Sequence, residues 1–300
     1  MSTTKAWLEA ARLRTLPLSV SGILVGSFYA YSQGYINWGI QVLALITTLG
    51  LQVLSNFAND YGDGIKGTDN EHRIGPQRAI QKGAITIPAM KKGIIITSVL
   101  TLIAAVVLIY VSFGSKNFGY SVFFFLLGLA AVAAAIKYTV GSNAYGYRGL
   151  GDVFVFIFFG LVSVIGCYFL FAQKVDALVI LPAISVGLLS VAVLNLNNMR
   201  DVVSDTMSGK NTIVVKMGAK AAKGYHYTVI GVALALTLAF AVLSHFRAVQ
   251  YIFLIAYIPF IIHLKTVAKN TVPRDLDPEL KKVALGTFFL SVLLCIALQL

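Results

Sequence analysis

Nine largely apolar stretches of about 20 residues follow one another along this chain, roughly at 16–33, 38–58, 94–113, 118–137, 152–173, 177–197, 227–245, 249–264 and 283–299. About 20 such residues, wound as a helix, cross the hydrocarbon of a bilayer. A backbone in lipid satisfies its own polar groups only as a helix or a closed barrel, and stretches of this length without alternation select the helix. The fold class expected is therefore all-α: a polytopic membrane bundle of about nine transmembrane helices. Only 12% of the 300 residues are charged, against about 25% in an ordinary soluble domain. No single water-soluble core could hide so much apolar surface. The net charge of +12 would point to nucleic acid in a polar chain. Here it reads as loop charge, and no nucleic-acid partner is expected.

Charge distribution gives an orientation. With the N-terminus in the cytoplasm, the cytoplasmic segments are 1–15, 59–93, 137–151, 198–226 and 265–282. Of the 24 Lys and Arg residues, all but Lys116, Lys174 and Arg247 then lie on that side. Positive charge is retained on the cytoplasmic side of bacterial membranes, and one missed span would scramble every later loop. The C-terminal Leu300 is expected on the outer side of the cell membrane. Residues 3–14 form a short amphipathic helix ahead of the first span, with no cleavable signal sequence. The four His residues are scattered, and Cys167 and Cys295 sit in apolar runs. Neither a zinc site nor a disulfide framework is expected from them.

Polar residues concentrate where the second and sixth spans end. The first cluster reads Asn59-Asp60-Tyr61-Gly62-Asp63, then Lys66-Gly67-Thr68-Asp69. The second reads Asn197-Asn198-Met199-Arg200-Asp201, then Ser204-Asp205. Asn59/Asp63 and Asn197/Asp201 are spaced i, i+4, which stacks them on one helix face. Gly62, Gly64 and Gly67 are expected to interrupt the first helix, so that Asp69 returns from a loop. Facing carboxylates suit Mg²⁺, a hard ion that takes oxygen ligands and bridges to substrate phosphates. Such ions neutralise a diphosphate leaving group as its C–O bond breaks. The metal candidates are Asp60, Asp63, Asp69, Asp201 and Asp205. The competing reading makes these residues helix caps and solvated acids. It fails to explain why six of only 12 acidic residues, Glu71 included, cluster here.

Cations follow both clusters: Lys66, Arg73, Arg78 and Lys82, then Lys210 and Lys216. Each is a candidate for gripping phosphate oxygens or a plain topology charge. Arg200 is placed to pair with an acid. A third polar loop, 137–152, is dense in Tyr and Gly and carries Tyr138, Tyr147 and Arg148. Tyrosine at a membrane edge is often an interfacial belt. Tyr138 is also a candidate to face an allylic cation with its ring.

The two Asn/Asp motifs, the nine spans and the Arg12-Leu-Arg14-Thr-Leu-Pro17 entry resemble the UbiA-type prenyltransferase superfamily over nearly the whole chain. The strings Lys66-Gly67-x-Asp69, Arg73-Ile-Gly75-Pro76-Gln-Arg78, Tyr147-Arg148-Gly149-Leu150-Gly151-Asp152 and Gly209-Lys210-x-Thr212 are similar to the branch that acts on 1,4-dihydroxy-2-naphthoate in menaquinone synthesis. One departure from the superfamily pattern is the five-residue gap between Asp63 and Asp69, which leaves open whether Asp60 or Asp69 is the better ligand. The resemblance implies a single integral-membrane domain over 1–300, with related motifs at 56–69 and 195–205. It implies a Mg²⁺-dependent enzyme that joins a polyprenyl diphosphate to dihydroxynaphthoate, with loss of CO₂ and diphosphate, giving demethylmenaquinone. In that picture Asp63 and Asp201, with Asn59, Asn197 and Tyr138, carry the catalysis. Lys66, Arg73, Arg78, Arg148 and Lys210 bind substrate, Arg73 and Arg78 being candidates for the acceptor's carboxylate. The partners are those two substrates and the lipid bilayer; no obligate protein partner is implied. The alternatives are a sister enzyme acting on 4-hydroxybenzoate or haem, and a membrane transporter.

Overall fold

The computed structural model describes residues 3–69 and 74–300 and is helical throughout, with no strand among the described residues. The elements in order are α1 (Thr3–Ala11), α2 (Leu16–Ser32), α3 (Trp38–Ile65), α4 (Ile87–Phe113), α5 (Phe118–Lys137), α6 (Gly151–Ala172), α7 (Ile180–Arg200), α8 (Val202–Met207), α9 (Ile213–Leu243), α10 (Ala248–Lys269) and α11 (Pro273–Gln299). Eight of these are long and apolar enough to cross a membrane. The ninth, α2, has 17 residues, at the lower limit for a span. The nine expected spans are thus α2 to α7 and α9 to α11. This is a multi-pass membrane protein.

Local sequence sets the helix starts. The Asn37 side chain accepts from Ile40 N at 3.2 Å, Thr86 from Ala89 N at 3.3 Å and Thr212 from Val215 N at 3.3 Å, each occupying an orphan donor of the first turn. Helix α9 begins 14 residues before the apolar stretch that announced it, because helices outlast the hydrocarbon when their extra turns carry charge. Lys216 and Lys220 are exposed on those turns, and Gly218, at φ 80° and ψ 162°, kinks them.

Helix α6 is buried against two neighbours by small residues. A Cβ on Gly26 of α2 would lie 2.4 Å from Val164 O, and one on Gly160 of α6 would lie 2.6 Å from Gly187 Cα of α7. Backbones approach this closely only where side chains are absent. Between Phe156 and Gly166 the same helix widens to a π-helical stretch of 11 residues.

Three packed groups result among the described residues. One core joins residues of α2, α6, α7, α9, α10 and α11 around Tyr168, Leu189, Phe240 and Phe260. A smaller one joins α1, α3 and α4 around Leu54, Phe57 and Met90, and a third joins α2, α3, α4 and α6 around Ile23, Ala44, Leu108 and Cys167. Outward faces of α4 and α5 leave Leu100, Ile103, Phe123 and Leu126 more than half exposed, a surface suited to acyl chains and not to water. One large cavity, of about 1060 Å³, is lined by residues of α1 to α7 and α11.

Candidate active site

The cavity has a polar mouth and an apolar interior. Its inner wall includes Ile23, Leu51, Leu108, Phe124, Phe158 and Leu170, and its mouth carries Asn59, Asp60, Asp63, Arg78, Tyr138, Asn197, Arg200, Lys210 and Asp277. The two motifs of distant sequence therefore meet at one opening.

The first motif rides on α3 itself. The helix continues through Gly62 and Gly64 to Ile65, so these glycines do not interrupt it, contrary to the sequence expectation. Gly62 is there for close approach: a Cβ would lie 2.5 Å from Thr139 Oγ1. Gly67, at φ +69°, ends the helical stretch, and Asp69 does return from the loop. Asn59 and Asp63 share a face, as their spacing requires. Tyr147 donates to Asp63 Oδ1 at 2.8 Å, and Arg78 Nη1 binds Asp63 Oδ2 at 2.8 Å. Arg78 Nη1 also reaches Asn59 O at 2.6 Å, and its Nε lies 3.2 Å from Asp69. Thr139 Oγ1 donates to Ala58 O at 2.9 Å and to Asn59 Oδ1 at 3.3 Å. Behind the motif, Asn56 Nδ2 donates to Ala11 O at 2.8 Å and ties α3 to the end of α1.

The second motif is built around Arg200. Its Nε and Nη2 bind Asp201 through both carboxylate oxygens, at 2.8 and 2.6 Å. Nη2 also donates to Asn197 Oδ1 at 2.9 Å, while Nη1 reaches Asp277 on α11 at 2.6 Å. The helix breaks at Asp201, so Asp205 sits on the separate α8 and not on one continuous face. The i, i+4 bond from Asp205 N to Asp201 O, 2.8 Å, preserves the spacing across the break. Lys210 lies 3.7 Å from Asp205.

These groups are buried, and their neighbours decide how far each keeps its charge. Burial alone would pull Arg78 down, but Asp63, Asp69 and Asp60 hold its pKa above the ordinary arginine value. Burial likewise opposes charge on Lys210, yet Asp63 and Asp205 raise it. Burial lifts Asp205 to about 6, with Lys210 working against the rise. Burial pushes the Tyr138 phenol up to about 12, so it stays protonated. Burial, and next Asp63, raise Tyr147, which keeps its proton for the bond it donates.

Two of the predicted substrate residues stand away from the cavity. Lys66 and Arg148 are exposed and do not line the cavity. Lys66 stands 3.9 Å over the Tyr147 ring, and the Arg148 carbonyl is occupied by Lys216 at 2.7 Å. Arg73 lies outside the described residues. Asp69, Asp201 and Asp205 are not themselves in the cavity wall: they stand behind Arg78, Arg200 and Lys210. Thr139 and Asp277 carry no signal in the sequence, and Tyr147 stands out there as a member of a tyrosine-rich loop and of the string 147–152, without a role of its own. Asp277, before a proline at a helix start, looks like a cap and nothing more.

Among the described residues no three carboxylate, His or Cys groups are gathered as a ready metal cluster. The donor set nevertheless fits a hard divalent cation. Asp60 Oδ1, Asp205 Oδ2 and Asn198 Oδ1 are buried oxygens with no hydrogen-bond partner among the described residues, an arrangement that is costly unless a cation or donor completes it.

A helical membrane bundle with two carboxylate–arginine motifs over an apolar cavity is the architecture of an intramembrane enzyme acting on anionic, lipid-like substrates. The chain belongs to the UbiA prenyltransferase family, whose model matches residues 19–293. It is 43% identical to a 1,4-dihydroxy-2-naphthoate octaprenyltransferase of Haemophilus influenzae, over 98% of this chain and 96% of that one. It is 41% identical to the enzyme of the same description from Escherichia coli, over 98% and 94%. A UbiA homologue from Archaeoglobus fulgidus, solved with DMAPP and Mg²⁺, superposes with a TM-score of 0.65 at 15% identity, covering 96% of this chain and 99% of that one.

Proposed function

We propose that the protein transfers a polyprenyl group from its diphosphate to 1,4-dihydroxy-2-naphthoate, releasing diphosphate and CO₂. The observation that carries this reading is the cavity that joins both Asn/Asp motifs to an apolar interior, in a chain 43% identical to an enzyme of that description. The donor's tail occupies the apolar part and its diphosphate the mouth. The allylic C–O bond breaks with its electron pair leaving on diphosphate, and a ring carbon of the acceptor closes the new C–C bond. Loss of the ring carboxyl as CO₂ then restores aromaticity. The product leaves at the quinol level of demethylmenaquinone, so no oxidant is needed. Water exclusion by the membrane cavity protects the cation.

In this reading the whole chain is one domain, and the mouth faces the cytoplasm, the side that carries most of the Lys and Arg. Mg²⁺, as in the Archaeoglobus homologue, neutralises the diphosphate when bound. Asp63, Asp69, Asp201 and Asp205, with Asp60 as the further oxygen, would hold it, and Asn59 and Asn197 orient that set. Lys210 faces the departing phosphate oxygens. Tyr138 presents a neutral phenol ring to the allylic carbon. Arg78 is bound to first-motif acids, which favours a role toward the donor's phosphates over the acceptor's carboxylate.

The test is direct. Purified protein with Mg²⁺, octaprenyl diphosphate and dihydroxynaphthoate should give the decarboxylated prenyl naphthoquinol by mass spectrometry. No product, or equal turnover of 4-hydroxybenzoate, would overturn the assignment.

A further inference from the structure

Behind the second motif, on the side away from the cavity, four buried polar side chains from four helices touch in series. Asn195 of α7 donates through Nδ2 to His226 Nδ1 of α9 at 3.3 Å and to Ala222 O at 3.2 Å. His226 Nε2 meets His263 Nε2 of α10 at 2.8 Å. His263 Nδ1 meets Glu279 Oε2 of α11 at 2.6 Å, and Lys282 holds the other oxygen of Glu279. Asn195, His226 and His263 have no solvent exposure, and Glu279 is 2% exposed.

One contact fixes every proton in the series. A carbonyl such as Ala222 O only accepts, so Asn195 turns its NH₂ toward α9. His226 Nδ1 must then accept, which puts its hydrogen on Nε2. His263 Nε2 receives that hydrogen, so His263 carries its own on Nδ1 and donates it to the carboxylate. Both rings are neutral, and all four ring nitrogens and both carboxylate oxygens are engaged. Asn195 Oδ1 alone is left without a hydrogen-bond partner among the described residues; the contacts among the other atoms of the series tie the four helices that carry them to one another.

The series closes on the site. Glu279 shares the start of α11 with Asp277, which binds Arg200, and Arg200 holds Asn197 and Asp201. Asn195 is two residues from Asn197 on the same helix. The last turn of α7 is thus pinned twice to α11: directly through Arg200, and around the back through α9 and α10. We propose that Asn195, His226, His263 and Glu279 are positioning residues that set Asn197 and Asp201 for diphosphate and metal. The proposal rests on the functional reading above.

The experiment compares wild type with full-length His226→Leu, His226→Gln and Glu279→Leu in lipid nanodiscs. Steady-state kinetics are read beside Mn²⁺ affinity by electron paramagnetic resonance with inorganic diphosphate present. Leucine at either position should lower kcat by about 10- to 100-fold, the usual cost of removing a group that orients a metal site. Mn²⁺ binding should weaken by about tenfold, with the acceptor's KM unchanged. Glutamine at 226, which can both accept and donate, should restore kcat and Mn²⁺ affinity to within a few fold. Should His226→Leu fail to accumulate, Asn195→Ala cuts the series at its head and carries the same expectation. Leucine variants with wild-type kcat and Mn²⁺ affinity would overturn the proposal, as would leucine and glutamine variants impaired alike. A wild-type protein that neither prenylates dihydroxynaphthoate nor binds Mn²⁺ would bring down the functional reading and the proposal with it.

Discussion

Asp63 is gripped from two directions, by Tyr147 on one oxygen and Arg78 on the other, and Asp201 is held on both oxygens by Arg200. A carboxylate fixed this way is preorganised, and its loss removes stabilisation at the point where charge develops. Asp63→Ala and Asp201→Ala should each lower kcat/KM for prenyl transfer by about 10²- to 10³-fold while the protein still accumulates in the membrane; near-normal turnover in either would reduce that motif to a cap. Tyr147→Phe removes one hydrogen bond to a charged group and should cost on the order of tenfold, read as kcat/KM at saturating Mg²⁺. EDTA should abolish turnover and excess Mg²⁺ restore it, because the mouth offers hard oxygen donors and no soft ligand; full activity in EDTA would remove the metal from the mechanism. The pairing of acids with Arg was legible at Arg200, one residue from Asp201. Tyr147 and Asp277 were not legible, since their partners Asp63 and Arg200 lie 84 and 77 residues away and no local spacing encodes such a contact.

Helices α2, α6 and α7 show what a glycine does inside a membrane bundle. Gly160 lets α6 touch the backbone of α7, so Gly160→Val should overpack that seam and cost about 1–3 kcal/mol, seen as a lower midpoint in thermal unfolding. An unchanged midpoint would mean that the seam can open. The spans themselves were readable because lipid imposes both length and composition on them. Their ends were not: α3 and α9 run past the apolar stretch into polar sequence, and hydropathy is blind to those turns. Gly62 and Gly64 misled for a related reason. Glycine breaks a helix in water, where the backbone loses entropy and gains hydration, but here Thr139 packs on Gly62 and the turn is held. His226 and His263 looked scattered because only the packing of α9 beside α10 brings them together.

At the level of the whole molecule, the charge bias makes a statement about sidedness that labelling can check. Cys167 and Cys295 are buried, so a single introduced cysteine reports alone. Lys220→Cys, in the mouth-side extension of α9, should resist an impermeant thiol reagent added to intact cells, and Lys116→Cys, between α4 and α5, should react; the reverse pattern would invert the topology. A further consequence follows from where Asp277 and Glu279 lie. The ribosome delivers this chain from its N-terminus, and segments that leave it first are free to settle first. Asp63 can meet Arg78 soon after α3 enters the bilayer. Arg200 waits for Asp277, and Asn195 gains its full chain of contacts only with Glu279, both at the threshold of the final helix. Until that helix is inserted, the nascent protein holds one finished half-site and one unfinished half-site. A chain cut short before α11 should lodge in the membrane with its first eight spans and remain catalytically silent, so the order of synthesis itself keeps a partial enzyme from spending donor lipid.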